Sequence, residues 1–120
     1  MIVGCNIAAM GEAFCFALKA GLNIETLFEA IRSGAAGSAV LEVKSRHLLE
    51  RDFTPSARTA VHQKDLKNAV ALAREMGVEI PLSSKVLDYM NDLEDQGLVN
   101  EDHSAIAKIY ERDMGVRLGK

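Results

Sequence analysis

The first twenty residues restrict this chain more than any other stretch. From Met1 to Ala20 only Asn6, Glu12 and Lys19 interrupt apolar or small side chains, so a helix here is apolar almost all round and must be buried from several sides. Gly4, Ala8 and Gly11 leave room for other helices to approach closely. The pattern starts at Met1 with no capping residue, which gives the expectation that the helix originally began further upstream and that the chain is a fragment. The apolar run stops at Glu12, short of the roughly 20 apolar residues of a spanning helix. No transmembrane segment is expected on that ground.

Further helices follow with their ends marked. Gly21 closes the first, Asn23 caps a second from Ile24 to about Ser33, and Leu27, Phe28 and Ile31 form its inward face. Gly34-Ala35-Ala36-Gly37-Ser38 reads as a tight helix-to-helix turn, with Ser38 capping a third helix from Ala39 to Glu50 that points Val40, Val43, Leu48 and Leu49 inward. A long helix is predicted from Pro55 to Met76, with Thr54 as its cap and Pro55 at its first position. Leu66, Ala69, Ala73 and Met76 then form its core face. Gly77 to Pro81 is an extended link, Leu82 to Gln96 a fifth helix, and Asp102 caps a sixth that holds Ala105, Ile106, Ile109 and Tyr110. The tail from Asp113 is expected to fray. No stretch alternates as a strand would and no period repeats, so the expected fold is all-α, about six helices in one domain over residues 1–120.

Composition narrows the function. Net charge is −3 over 120 residues with acids and bases interspersed, which argues against nucleic acid and against a membrane surface as partners. Cys5 and Cys15 share the first helix, roughly 15 Å apart along its axis, too far for a disulfide. Two core thiols and no signal-peptide pattern suggest the cytoplasm. His47, His62 and His103 are scattered and neither cysteine has a close partner, so no metal site is assigned. His62 lies one turn before Asp65 and is placed to pair with it. Lys64 lacks a carboxylate three or four residues away and has Lys67 as a like-charged neighbour, so an anion from elsewhere could neutralise it. The plainer reading is a solvated surface lysine.

A series of features, in order, resembles a known family. The run Asn6-Ile-Ala-Ala-Met-Gly-Glu-Ala-Phe, the turn Gly34 to Ser38, Phe53-Thr-Pro, the triplet Lys64-Asp65-Leu66, the Gly77 to Pro81 link and Asp102-His-Ser-Ala105 are similar to the C-terminal helical domain of the β-hydroxyacid dehydrogenases. That family includes 3-hydroxyisobutyrate dehydrogenase and tartronate semialdehyde reductase, and its helical domain resembles that of 6-phosphogluconate dehydrogenase. The resemblance covers nearly the whole chain.

It implies a two-domain parent enzyme using NAD or NADP, in which a Rossmann domain holds the cofactor and the helical domain supplies the other wall of the cleft. The family's catalytic lysine lies upstream of the position matching Met1, so no catalytic residue is assigned within these 120 residues. By the same resemblance Lys64 reaches cofactor and substrate, Asp65 is the neighbouring acid that positions the helix, and Ser38 lies on a loop approaching the cleft. Where many members carry two pocket aromatics, this chain has Ala39 and Ala57, which keeps the class of substrate, a small β-hydroxyacid, but not the compound. A homodimer, inactivity of the chain alone and no tight dinucleotide binding are further expectations. The alternative is an autonomous helical ligand-binding or protein-interaction module.

Overall fold

The computed structural model describes Met1 to Gly119. Six α-helices run in the order α1 Ile2–Lys19, α2 Ile24–Ile31, α3 Ala39–Leu49, α4 Thr59–Glu75, α5 Pro81–Asp95 and α6 Ala107–Met114, with a 3-10 turn His103–Ile106 leading into α6. No strand occurs among the described residues. The all-α architecture is therefore as the sequence indicates.

α1 is the axis of the bundle. It packs against α2, α3, α5, α6 and the 3-10 turn, whereas α4 lies further out on α5 and the 3-10 turn. Ile7, Phe14 and Cys15 are buried in the centre together with Leu48, Met90, Leu93, Ile106 and Ile109. The small residues of α1 permit these crossings. A Cβ on Gly11 would meet the α6 backbone at Ala107 Cα, 3.3 Å away, and one on Gly4 would meet the His62 ring at 3.1 Å. By length and composition α1 is long and apolar enough to cross a membrane, so Glu12 does not cut the apolar stretch short as expected. Its packing is that of a core helix.

Asn23, Ser38 and Asp102 cap their helices as expected, each side chain accepting from a backbone N–H two or three residues on. The start of α4 differs from expectation. The helix begins at Thr59, not at Pro55. Thr54 donates its N–H to Asp52 Oδ1 in a local turn, and the N–H groups of Ser56 and Ala57 are taken by the Asp102 carboxylate. Residues 53–58, which bend at Ser56 and Ala57, are thereby held beside residues 99–103. Thr59 N donates to Glu101 O and Ala60 N to Val99 O, so loop carbonyls satisfy the first donors of α4 in place of a side-chain cap.

Four more expectations need correction. Val43 is exposed because α3 turns Leu41, Lys44, Ser45 and Leu48 inward; Lys44, next to the expected valine, reaches the buried Asp102. Met76 is exposed because the chain reverses at Gly77 and residues 78–81 fold back against Val70 and Ala73. Pro81 already belongs to α5 as its first residue, where its missing N–H costs nothing. The tail is docked through residue 118. Arg51 grips Glu111 through two hydrogen bonds and donates a third to Leu118 O, while Leu118 N donates to Glu111 Oε1. Leu118 is buried.

Candidate functional site

Lys64 and Asp65 sit on the outward side of α4, because Gln63, Leu66, Val70 and Ala73 occupy its inward side. Their ion pair is loose: Lys64 Nζ lies 3.7 Å from Asp65 Oδ1, with side chains 69% and 64% exposed. Adjacent Asp65 thus supplies a partner that the three- and four-residue spacing did not suggest. Lys67 is drawn away to Glu94 at 3.5 Å. An exposed pair of this kind contributes little to folding, on the order of 0–1 kcal/mol. Its ammonium stays available to a stronger anion.

Ser38 faces a different groove, of about 440 Å³, together with Asn6, Met10, Ala13, Ile31 and Leu41. Its Oγ accepts from Leu41 N at 3.0 Å, which leaves the hydroxyl hydrogen free to donate. Ala39 and Ala57 place only methyl groups where they stand. Gly4 faces His62 on α4, whereas Asn6 and Ala13 face the Ser38 groove, roughly half a turn round α1. The sequence-assigned residues therefore do not converge on one cavity within this chain. The His62 contact and the Ser38 groove lie on different faces of α1.

A second lysine–aspartate pair was not singled out in the sequence. Lys44 Nζ lies 3.0 and 2.8 Å from the two Asp102 oxygens, with side chains 8% and 0% exposed. Ser56 donates its N–H and its hydroxyl to Oδ2, Ser104 donates both of its own to Oδ1, and Lys44 also donates to Ser56 Oγ. Burial alone would raise the Asp102 pKa, but Lys44 and the Ser104 and Ala57 donors outweigh it and hold the carboxylate well below its usual range. Lys44 is thus a counter-ion, and nothing here activates Ser56 as a nucleophile. The signal available in the sequence was Asp102-His-Ser alone, which reads as a helix cap.

His62 does not bond Asp65. Its Nδ1 lies 2.9 Å from Nδ1 of His103, on the 3-10 turn. The cysteines are free. Burial, with Glu111 adding to it, pushes the Cys15 thiol up to about 12, which leaves it protonated and inert near neutrality. Among the described residues, no group of three or more His, Cys, Asp or Glu side chains gathers to hold a metal ion. For a dinucleotide they offer an exposed ammonium at Lys64, which suits a phosphate or carboxylate. They form no strand followed by a glycine-rich turn, so the pyrophosphate cradle of a Rossmann unit is not made by these residues.

Comparison with known proteins decides the relationship. Residues 1–110 match the family model described as NAD-binding of NADP-dependent 3-hydroxyisobutyrate dehydrogenase. The chain belongs to the 3-hydroxyisobutyrate dehydrogenase family. It is 34% identical over 111 residues to the 2-hydroxy-3-oxopropionate reductase of Escherichia coli K12, covering 92% of this chain and 38% of that protein. An L-threonate dehydrogenase of the same strain is 29% identical over 110 residues, 36% of its length. The 3-hydroxyisobutyrate dehydrogenase of Salmonella typhimurium superposes with a TM-score of 0.85 at 29% identity, over 90% of this chain and 38% of that one. This family member thus spans less than two fifths of these relatives.

Proposed function

We propose that the chain is the helical substrate and dimerisation domain of an NAD(P)-dependent oxidoreductase acting on a small β-hydroxyacid of the 3-hydroxyisobutyrate type. The observation that carries this reading is the family match over residues 1–110. In such an enzyme the nicotinamide accepts or delivers the hydride. The role of this chain is to bind and orient. Lys64, exposed and only loosely held by Asp65, would fix an anionic group of cofactor or acid across the cleft. Asp65 keeps the ammonium near the α4 surface until that anion arrives. Ser38 would present its hydroxyl from the loop that approaches the same cleft, and Ala39 and Ala57 leave space that bulkier members fill. Two free thiols suit a reducing compartment such as the cytoplasm.

Self-association through α1 belongs to the same proposal. Ile2 and Phe16 are 78% and 68% exposed, and Ala9 and Ala13 between them are also open, an apolar stripe of the kind that marks interfaces. Two-fold pairing is the commonest way to bury one. Sedimentation at micromolar concentration should give a dimer; a clean, soluble monomer would remove this part.

The functional reading is tested by replacing the matching helical part of the E. coli reductase with this chain. The chimera should turn over a small β-hydroxyacid with NAD or NADP, and this chain alone should not. Turnover by the chain alone, free of host dehydrogenase, would overturn the division of labour. So would a folded, dimeric chimera that binds cofactor but no acid.

A further inference from the structure

The pair His62 and His103 has no part in the function proposed above. The rings stand 5.1 Å apart between centroids and tilt by 55°, with the two Nδ1 atoms at 2.9 Å. At that distance one nitrogen carries the hydrogen and the other the lone pair. His103 is only 6% exposed, and its Nε2 is buried without a hydrogen-bond partner. Only one neutral arrangement leaves no buried N–H unsatisfied: His103 Nδ1–H donates to His62 Nδ1, and His62 carries its own hydrogen on Nε2, beside Gly4.

An added proton has no good position. On His62 Nδ1 it would set two N–H groups head to head. On His103 Nε2 it would create a buried donor with no acceptor, and moving the shared hydrogen to relieve the first case leads to the second. The contact joins three elements, because His62 belongs to α4, His103 to the 3-10 turn, and the far edge of the His62 ring lies against Gly4 of α1. We propose that the His62–His103 contact is an acid-released latch, closed when both rings are neutral and opened by one proton, which frees the first turns of α4 together with Lys64 and Asp65. The inference does not depend on whether Lys64 meets a cofactor.

The charged surroundings favour the neutral pair. α3 presents Lys44 and His47, and α1 presents the amino group of Met1, all opposing a further positive charge. On the other side stand Asp102, which Lys44 already neutralises, and Asp65, which is exposed. Burial, then Lys44, pushes the His103 imidazole down to about 4, and burial pushes His62 down as well. An unfolded histidine titrates near 6.5, so the opened form binds more protons than the closed one. The latch is fully closed above about pH 6.5 and weakens as pH falls toward 4.

Amide hydrogen exchange on the 120-residue chain at pH 7.5 and pH 5, corrected for intrinsic chemistry, tests this. Protection from Val61 to Leu66 should fall about tenfold or more at pH 5 relative to Met90 in the core. The double variant His62→Gln/His103→Gln, whose side-chain amides can bond each other and do not titrate, should show no such fall. Should that variant not fold, ring-proton NMR on the wild type serves instead: the two imidazoles should titrate below the roughly 6.5 of a free histidine, and the α4 amides should shift with the same midpoint. Equal protection at the two pH values, a double variant that keeps the response, or histidines titrating independently near 6.5 with the α4 amides still would each overturn the latch.

Discussion

Among the described residues, two lysine–aspartate pairs differ in almost everything but composition. Lys44 and Asp102 meet at 2.8 Å in the interior, and Lys64 and Asp65 meet at 3.7 Å in solvent. The buried pair joins α3 to the 3-10 turn and, through Ser56 and Ala57, anchors residues 53–58. With its hydrogen bonds filled by the fold, it has nothing left for a ligand. The exposed pair holds no other element, and for that reason its ammonium can serve one. Proximity of opposite charges thus says little about role; solvent exposure and the number of remaining donors decide it.

The comparison is broken most severely at Asp102. Asp102→Asn leaves the Lys44 charge buried and uncompensated and turns an amide donor toward donors, so unfolding by urea should show a loss of about 3–5 kcal/mol. A loss within experimental scatter of zero would mean that water reaches the pair. The same variant sharpens the case through pH. The Asp102 carboxyl is held low in the folded state, so its contribution is present above its unfolded pKa of about 3.9 and is lost as pH falls through the folded value. The gap between wild type and Asp102→Asn should therefore stay constant from pH 8 to about 5 and narrow only in stronger acid. A gap already closing at pH 6 would show a weakly held carboxylate.

Lys44→Met is expected to cost less, about 2 kcal/mol by the same urea measurement. The carboxylate keeps its donors from Ser56, Ala57 and Ser104, and the methionine fills the space of the lysine stem. A loss larger than that of Asp102→Asn would reverse the assignment of the aspartate as the centre of this cluster.

The two pairs also mark where the sequence was legible. Helix number, the caps Asn23, Ser38 and Asp102, and the close approaches at Gly4 and Gly11 depend on local spacing and small side chains. Each could be read directly. The start of α4 could not, because Thr54-Pro55 is a sound local signal that loses to a carboxylate 46 residues away on Ser56 N. Lys44 fell outside the expected core because a buried lysine is rare unless paired, and its partner is 58 residues distant. The His62–His103 contact, 41 residues apart, was hidden behind the nearer Asp65 for the same reason. At the candidate site, the exposure of Lys64 was legible from its sparse local partners, whereas its contact with the adjacent Asp65 was not.

The smallest expected effect on folding is also the most direct test of the central claim. In the chimera of this chain with the E. coli reductase, Lys64→Ala should change unfolding free energy by no more than about 0.5 kcal/mol, yet lower kcat/KM for cofactor or acid substrate at least about tenfold, a loss of about 1.4 kcal/mol of transition-state stabilisation. Measured together at low and high salt, unchanged stability with impaired kinetics is the predicted result. Wild-type kinetics at every salt concentration would contradict the account and leave Lys64 a solvated lysine on a helix surface.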